Sequence, residues 1–314
     1  MTIRTVTMSP GFDHVVHVDQ MSPGGVARVL AWDTLAAGKG VNVARAASEL
    51  GAECVAYSLV GESDRNQFVD SIAECGASAE VVAVPGRTRQ NLTLAIGESD
   101  AIAAHAVGQR LSANDHYANR LIASVVEQTQ PGDIVSFNGA LPQGVRPEIW
   151  SEAALAVTER KATVVADVQG AALIAVLESG VAKMAKPNEE EAQELPISSE
   201  AGNSAAAVFW MRDQGVADPI VSVGAGGVLH LVDGSVTRSW CTVAVPRVVV
   251  GAGDAFVAGY CATLDNSAVV GHDPIDIGLA SAAVHVCSEQ FGDRPRAVLE
   301  AAARVQHEPF RVDS

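Results

Sequence analysis

The sequence predicts an α/β fold: a doubly wound, mostly parallel sheet with helices on both faces and a small β-sheet lid, in one domain of residues 1–314. Three observations carry that expectation. From about residue 40 onward, short apolar runs alternate with longer helical patterns, the signature of successive βαβ units. Each run leads into a turn rich in Gly, Pro, Asn or Asp and then into a helix-like segment. Two stretches, about 12–35 and 80–108, break this rhythm with period-two runs and no helix between them, and they form the predicted lid.

The elements follow in chain order. Val15–Val18 and Ala27–Ala31 read as lid strands. The helix over Val41–Leu50 places Val43, Ala46, Ala47 and Leu50 at i, i+3, i+4 and i+7, on one face, and Gly51 follows as its stop. Cys54–Val60, closed by Gly61, reads as a buried strand, and Asn91–Ile96 as the third lid strand. Strand runs recur at 133–137, 162–166, 181–185 and 219–223, with Val228–Val232 strand-like beyond them. In a parallel open sheet, the turns after such strands lie at their carboxyl ends, where ligands bind. The tail from about Pro295 reads as a helix ending near Pro309, then a short polar end.

Composition narrows the function. A chain of 314 residues with 48% hydrophobic and 18% charged residues buries a large core, which excludes disorder. A net charge of −16 argues against nucleic acid or an anionic membrane as partner, since both require a basic face. An anionic ligand must then be held by a few local cations, which draws attention to Arg28, Lys39, Arg89 and Lys186, all in or beside turn-like segments. Five cysteines without a C-x-x-C pair suggest neither a disulfide framework nor zinc, and fit a reducing, cytoplasmic compartment. The eight histidines have no metal-ligand spacing: His14 and His17 would face opposite sides of one strand. No signal peptide and no apolar run of membrane-spanning length is apparent.

Chemistry concentrates in a few turns. In Gly251-Ala252-Gly253-Asp254, two glycines and a small residue run into an aspartate and a helix. Such a turn gathers backbone N–H groups and the positive helix end around an anion, with Asp254 poised to accept the proton of an attacking hydroxyl. The same pattern also suits a left-handed turn whose aspartate merely caps the helix. Gly38-Lys39-Gly40-Val41-Asn42 suggests a hinge and a hydroxyl contact, or a capped helix start; it is not a Walker A loop. Each of the three G-x-G pairs lacks the third glycine of a dinucleotide fingerprint. Arg89 and Asn91 offer a phosphate fork and a hydroxyl contact. Asn188 and Glu191 share one face of a helical turn, suited to hydrated Mg²⁺, to a capping box, or to both. Ser222-Val-Gly224-Ala-Gly-Gly227 permits close approach of a ligand.

Taken in order, these motifs resemble the PfkB (ribokinase-like) carbohydrate kinases, in their phosphosugar branch, over Thr5 to about Val286. The resemblance rests on Thr7–Asp13 (T-x-N-P-A-x-D), Ala37–Ala44 (G-G-K-G-x-N-V-A), Thr88–Asn91 (T-R-x-N), Lys186–Glu191 (K-P-N-x-x-E), Ser222–Gly227 (S-x-G-x-x-G) and Gly251–Asp254 (G-A-G-D). It implies a ribokinase-like α/β fold whose β lid often clasps a second copy. It further implies ATP-dependent phosphorylation of a hydroxymethyl group on a phosphorylated ketose, foremost fructose 1-phosphate, with tagatose 6-phosphate, fructose 6-phosphate or an unphosphorylated sugar or nucleoside as alternatives, and a sugar-phosphate-binding protein without catalysis as a further one. Asp254 would be the base, with the Gly251, Ala252 and Gly253 amides around the transferred phosphoryl group. Asp13, Arg28, Gly38, Lys39, Asn42, Arg89 and Asn91 would line the sugar-phosphate site. Lys186, Asn188, Ser222, Gly224 and Gly227 would line the ATP side, with Asn188 and Glu191 holding Mg²⁺ through water. Departures from the pattern include Ser9 for Asn, Ala37 for Gly, Ala140 for Ser in G-S-L-P-P-G, Val248-Val249 for the Asp-Thr before G-A-G-D, and Asp167-Val-Gln-Gly170 for D-x-S-G.

Overall fold

The computed structural model describes residues 1–22, 24–96, 101–197, 204–243, 246, 250–265, 267–287 and 293–310. Its centre is a seven-stranded sheet: β1 (Ile3–Thr7), β4 (Cys54–Gly61), β5 (Ser78–Val84), β8 (Ile134–Gly139), β9 (Thr163–Val168), β10 (Ala182–Ala185) and β11 (Asp218–Pro219). The spatial order is β11-β10-β9-β8-β1-β4-β5, and all neighbouring pairs are parallel.

Strand alternation divides the apolar side chains between two helical layers. Val135 and Phe137 of β8 and Val164, Ala166 and Val168 of β9 pack with α3 (Asp115–Gln128), α4 (Ile149–Glu159), α5 (Ala171–Glu178) and α7 (Ser204–Asp213). Ile134 and Val165, pointing the other way, pack with α1 (Lys39–Glu49), α2 (Arg65–Ala73), α8 (Ala252–Leu264) and α9 (Pro274–Cys287). The sheet is therefore covered on both faces, as its near-continuous apolar strands require. From β1 the chain winds to β4 and β5 on one side and later to β8 and β9 on the other. That reversal opens a crevice at the carboxyl ends of β1 and β8.

The lid is a second sheet of β2 (Gly11–Val18), β3 (Val29–Ala37), β6 (Arg89–Ile96) and β7 (Ala101–Ala106) in the order β3-β2-β6-β7, with β2 and β6 parallel. It springs from the carboxyl end of β1, so its first residues overhang the crevice. Its predicted extent needs one correction. Residues 80–84 belong to β5, whose pairing with β4 places them in the central sheet, and the second lid segment begins at Arg89. Residues 97–100 of that segment lie outside the described ones.

Three further features depart from the sequence reading. β1 was not anticipated, because its Arg4, Thr5 and Thr7 dilute the apolar signal; Arg4 is nonetheless buried, donating to Asp133 Oδ2 and to the Tyr57 hydroxyl, both at 2.7 Å. The run at 219–223 is divided between two sheets. β11 ends the parallel sheet, and β12 (Val221–Ser222) opens a third sheet, antiparallel, with β13 (Val228–Val232), β14 (Ser235–Cys241) and β15 (Val305–Pro309). The C-terminal helix, α10 (Arg294–Ala302), stops short of Pro309 because the chain extends into β15 and pairs with the open edge of β14. Among the described residues, no helix is long and apolar enough to cross a membrane.

Candidate active site

The floor of the crevice is the start of α8. Gly251 is its N-cap, at φ 87°, and no side chain caps the helix. The first amide to find an intrahelical partner is Ala255, which donates to Gly251 at 2.9 Å, so the N–H groups of Ala252, Gly253 and Asp254 have no acceptor within the helix. Asp254 lies in this first turn and is only 7% exposed. Its Oδ2 accepts a 2.8 Å hydrogen bond from Asn42 Nδ2 on α1. Burial and the neighbouring Asp167 carboxylate push Asp254 up to about 6, while the Asn42 bond and the ammonium groups of Lys39 and Lys186 pull the other way.

Local sequence brings α1 this close. Gly38, at φ 128°, turns the chain into the helix, and a Cβ on Gly40 would collide with Thr7 Oγ1 and stand 3.1 Å from Asn138 Nδ2. Only glycine lets α1 begin directly over the ends of β1 and β8.

Beside Asp254 lies a buried charge cluster. Asp167, at the carboxyl end of β9, has its Oδ1 3.3 Å from both Lys39 Nζ and Lys186 Nζ. Lys39 Nζ is also 3.5 Å from Glu191 Oε1. Burial alone would raise the Asp167 carboxyl, but the two lysines outweigh it and hold it below its ordinary value. Burial likewise opposes the Lys39 charge, yet Asp167, Glu191 and Asp254 together hold its ammonium above the usual range. Lys186 Nζ stands 3.3 Å from where a Cβ of Gly253 would be, so it also faces the turn at the head of α8.

The lid supplies the opposite wall. β2 and β6 pair so that Asp13 lies beside Asn91 and Gly11 beside Arg89. Asn91 Nδ2 donates to Asp13 Oδ1 at 2.6 Å. The Arg89 side chain lies over Gly11, where a Cβ would be 3.0 Å from Nε, and that Nε is buried without a hydrogen-bond partner. Burial and the like charge of Arg110 lower its pKa, with Asp13 opposing. Arg28 is a correction to the sequence reading. It is exposed and is not among the residues that line the cleft; its N–H donates to Asp19 Oδ1 and Asp19 N–H donates to its carbonyl.

At the far end, Ser222 N–H donates to the Pro187 carbonyl at 3.0 Å, stitching the Lys186–Asn188 turn to the Ser222–Gly227 loop. Asn188 and Glu191 form a complete capping box on α6 (Glu189–Gln193): Asn188 Oδ1 accepts from Glu191 N–H, and Glu191 Oε2 accepts from Asn188 N–H. Glu191 Oε1 accepts from Gln169. Gly224 and Gly227 adopt φ of 57° and 90°, and a side chain at Gly227 would run into Ser239 and Trp240. Arg238 secures this loop from β14, donating from Nε to the Gly226 carbonyl at 2.8 Å.

These groups surround one cleft of about 1100 Å³. It is lined by Asp13, Gly38, Lys39, Asn42, Arg89 and Asn91 on the lid side, by Lys186, Asn188, Glu191, Ser222, Gly224 and Gly227 at the far end, and by Gly251–Asp254 on the floor. Asp167, met in the sequence only as a departure from D-x-S-G, also lines it, as do Arg238, Trp240 and His105, which escaped the sequence reading. A signal for Asp167 existed, since it ends a buried strand at the edge where ligands gather. Arg238 and Trp240 had none, because which face of β14 meets the cleft depends on its pairing. Val248 and Val249 lie outside the described residues. No group of three or more His, Cys, Asp or Glu able to hold a metal occurs among the described residues.

The chain is 28% identical over 320 residues to 1-phosphofructokinase of Escherichia coli K12, with 98% of each chain covered. It is also 28% identical over 295 residues to 1-phosphofructokinase of Bacillus subtilis, with 92% of this chain and 94% of the relative covered. The solved structure of phosphofructokinase-2 from Escherichia coli, in its tetrameric inhibited form, superposes with a TM-score of 0.82 at 24% identity, over 96% of this chain and 98% of that one. The family model for pfkB family carbohydrate kinases matches residues 7–295, nearly the whole chain, and the chain belongs to that family.

Proposed function

We propose that this carbohydrate kinase transfers the γ-phosphoryl group of ATP to a hydroxymethyl group of a phosphorylated ketose, foremost fructose 1-phosphate. The observation that carries the reading is the pairing of two groups across one cleft. Asp254 waits at the amide-rich start of α8, and Arg89 offers a buried, unpartnered Nε from the lid. A sugar phosphate spans that gap with its phosphate on Arg89 and its free alcohol at Asp254.

In this reading the acceptor hydroxyl donates its proton to Asp254 as its oxygen attacks the γ-phosphorus, and the bond from phosphorus to the bridging oxygen of ADP breaks in line. The amides of Ala252 and Gly253, with the Gly251 turn, hold the transferring phosphoryl oxygens, and Lys39 and Lys186 supply compensating positive charge. Asn42 orients the Asp254 carboxylate and shares the sugar hydroxyls with Asp13 and Asn91. Lys186, Asn188, Ser222, Gly224 and Gly227 receive the nucleotide, whose phosphates approach the glycines where no side chain intervenes.

The residues fit a hydrated Mg²⁺. Asp167 has an Oδ2 that is buried with no partner, beside Glu191, and Mg²⁺ retains waters through which such oxygens hold it. When bound, it neutralises charge on the β- and γ-phosphates. Glu191 and Asn188 would act there through water, since the capping box takes Asn188 Oδ1 and Glu191 Oε2 and Gln169 donates to Glu191 Oε1.

We also read the lid as the contact for a second copy. Leu30, Trp32 and Leu35 on β3 are 61%, 59% and 43% exposed, an apolar edge that a partner lid would cover.

The test is ADP release from ATP and Mg²⁺ with a panel of acceptors. Fructose 1-phosphate should give the highest kcat/KM, with fructose 6-phosphate and tagatose 6-phosphate below it. Unphosphorylated sugars and nucleosides should be slower by about 100-fold, the worth of one good Arg–phosphate contact. Preference for an unphosphorylated acceptor over its phosphate would overturn the reading.

A further inference from the structure

We infer that His285 is a positioning residue for the anion turn at the head of α8, an inference that rests on the phosphoryl-transfer reading above. His285 lies in the last turn of α9, the helix that packs beside α8 through Phe256, Ile275 and Leu279. Its Nε2 is 2.8 Å from the carbonyl oxygen of Val250. A carbonyl only accepts, so Nε2 carries the hydrogen and donates it. Val250 and Gly251 share that peptide bond, and the imidazole thus grips the peptide plane from which the helix begins.

The ring is also pressed against Gly251 itself. A Cβ there would stand 2.9 Å from Nε2 and 3.2 Å from Cε1. Gly251 sits at φ 87° and α8 has no side-chain cap. A glycine in this region has little torsional restraint of its own, so a neighbour must supply it. His285 does so from behind: it is not among the residues that line the cleft, whereas Gly251, Ala252, Gly253 and Asp254 all are. Releasing the Val250–Gly251 peptide lets it rotate. The amides of Ala252 and Gly253 then tilt away from the line of phosphoryl transfer, while the walls that bind sugar and nucleotide stay as they were.

The loss should fall on turnover and not on binding. His285→Ala should lower kcat by about 10–100-fold, the cost of misplacing transition-state donors by up to ~1 Å. The KM values for fructose 1-phosphate and ATP, and the Tm, should change little. His285→Gln, which keeps an N–H donor at comparable reach, should recover most of kcat. An unchanged kcat in His285→Ala overturns the inference. So does a loss that appears equally in both variants with matching rises in KM. Phosphoryl transfer by the unsubstituted chain to none of the acceptors would instead overturn the functional reading. The inference is then decided by calorimetric titration of ADP and Mg²⁺ with and without aluminium fluoride, a mimic of the phosphoryl group. Fluoride-dependent tightening that His285→Ala loses and His285→Gln keeps supports it; tightening that is equal in all three proteins, or absent from all, overturns it.

Discussion

Replacing Asp254 by Asn should separate function from stability in opposite directions. The carboxyl is pushed from its ordinary 3.8 to about 6 by burial and by Asp167. A displacement of that size corresponds to about 3 kcal/mol that the folded state gives up to keep the group ionised at neutral pH. The sign follows from the two states. Below pH ~4 the carboxyl is protonated in folded and unfolded chains alike and costs nothing. As the pH rises, the unfolded chain ionises first, and above about 6 the folded chain holds a desolvated anion at the full cost. Asparagine never carries that charge, and its carbonyl oxygen still accepts from Asn42, which donates at 2.8 Å in the parent. Asp254→Asn should therefore raise Tm by roughly 4 °C at pH 8 for a chain of this length, with the gain shrinking towards zero below pH ~4. Turnover should fall by about 10²–10⁴-fold, the worth of a general base, with ATP binding retained. Calorimetry across the pH range and a coupled ADP-release assay measure the two halves. A variant that is less stable at pH 8, or that keeps parental turnover, would refute the reasoning.

Other outcomes follow from the same geometry. In the parent, kcat/KM should fall about tenfold per pH unit below about 6, as Asp254 gains the proton that stops it acting as a base. Asn42→Ala removes the hydrogen bond that favours the anion and should move this acid limb upward, which a pH–rate profile reads directly. Arg89→Ala should raise KM for the sugar phosphate about 100-fold while leaving KM for ATP within about twofold, and equal effects on both would count against the lid assignment. Asp167→Asn leaves Lys39 and Lys186 facing each other without the carboxylate between them and should cost about 3–5 kcal/mol of stability in urea unfolding.

Much of the candidate site was legible because its residues lie in short turns. Gly38, Gly40, Gly227 and Gly251 stand where the backbone takes positive φ or passes too close to a neighbour for a Cβ, and local sequence reports such demands directly. Asn188 and Glu191 fix their capping box by spacing alone. The helix read over Val41–Leu50 forms as α1 over Lys39–Glu49, with Val43, Ala47 and Leu50 buried, Ala46 half-buried and Gly51 in its left-handed stop, since 3.6-residue periodicity is a local signal.

What the chain's local pattern determined, then, was the alternation of strands and helices, the turns that close them and the residue types those turns carry. Tertiary structure decided which of them meet. Asp167 joins Lys39 and Lys186 because β9 ends beside the crevice; residues 219–223 divide between two sheets, and 305–309 become a strand because the edge of β14 was open. Arg28, a candidate from its turn-like setting, stands exposed and outside the cleft lining. Those outcomes depend on pairings between segments far apart along the chain, whose energies come from burial and edge satisfaction once the sheet exists, and no short window of sequence carries them.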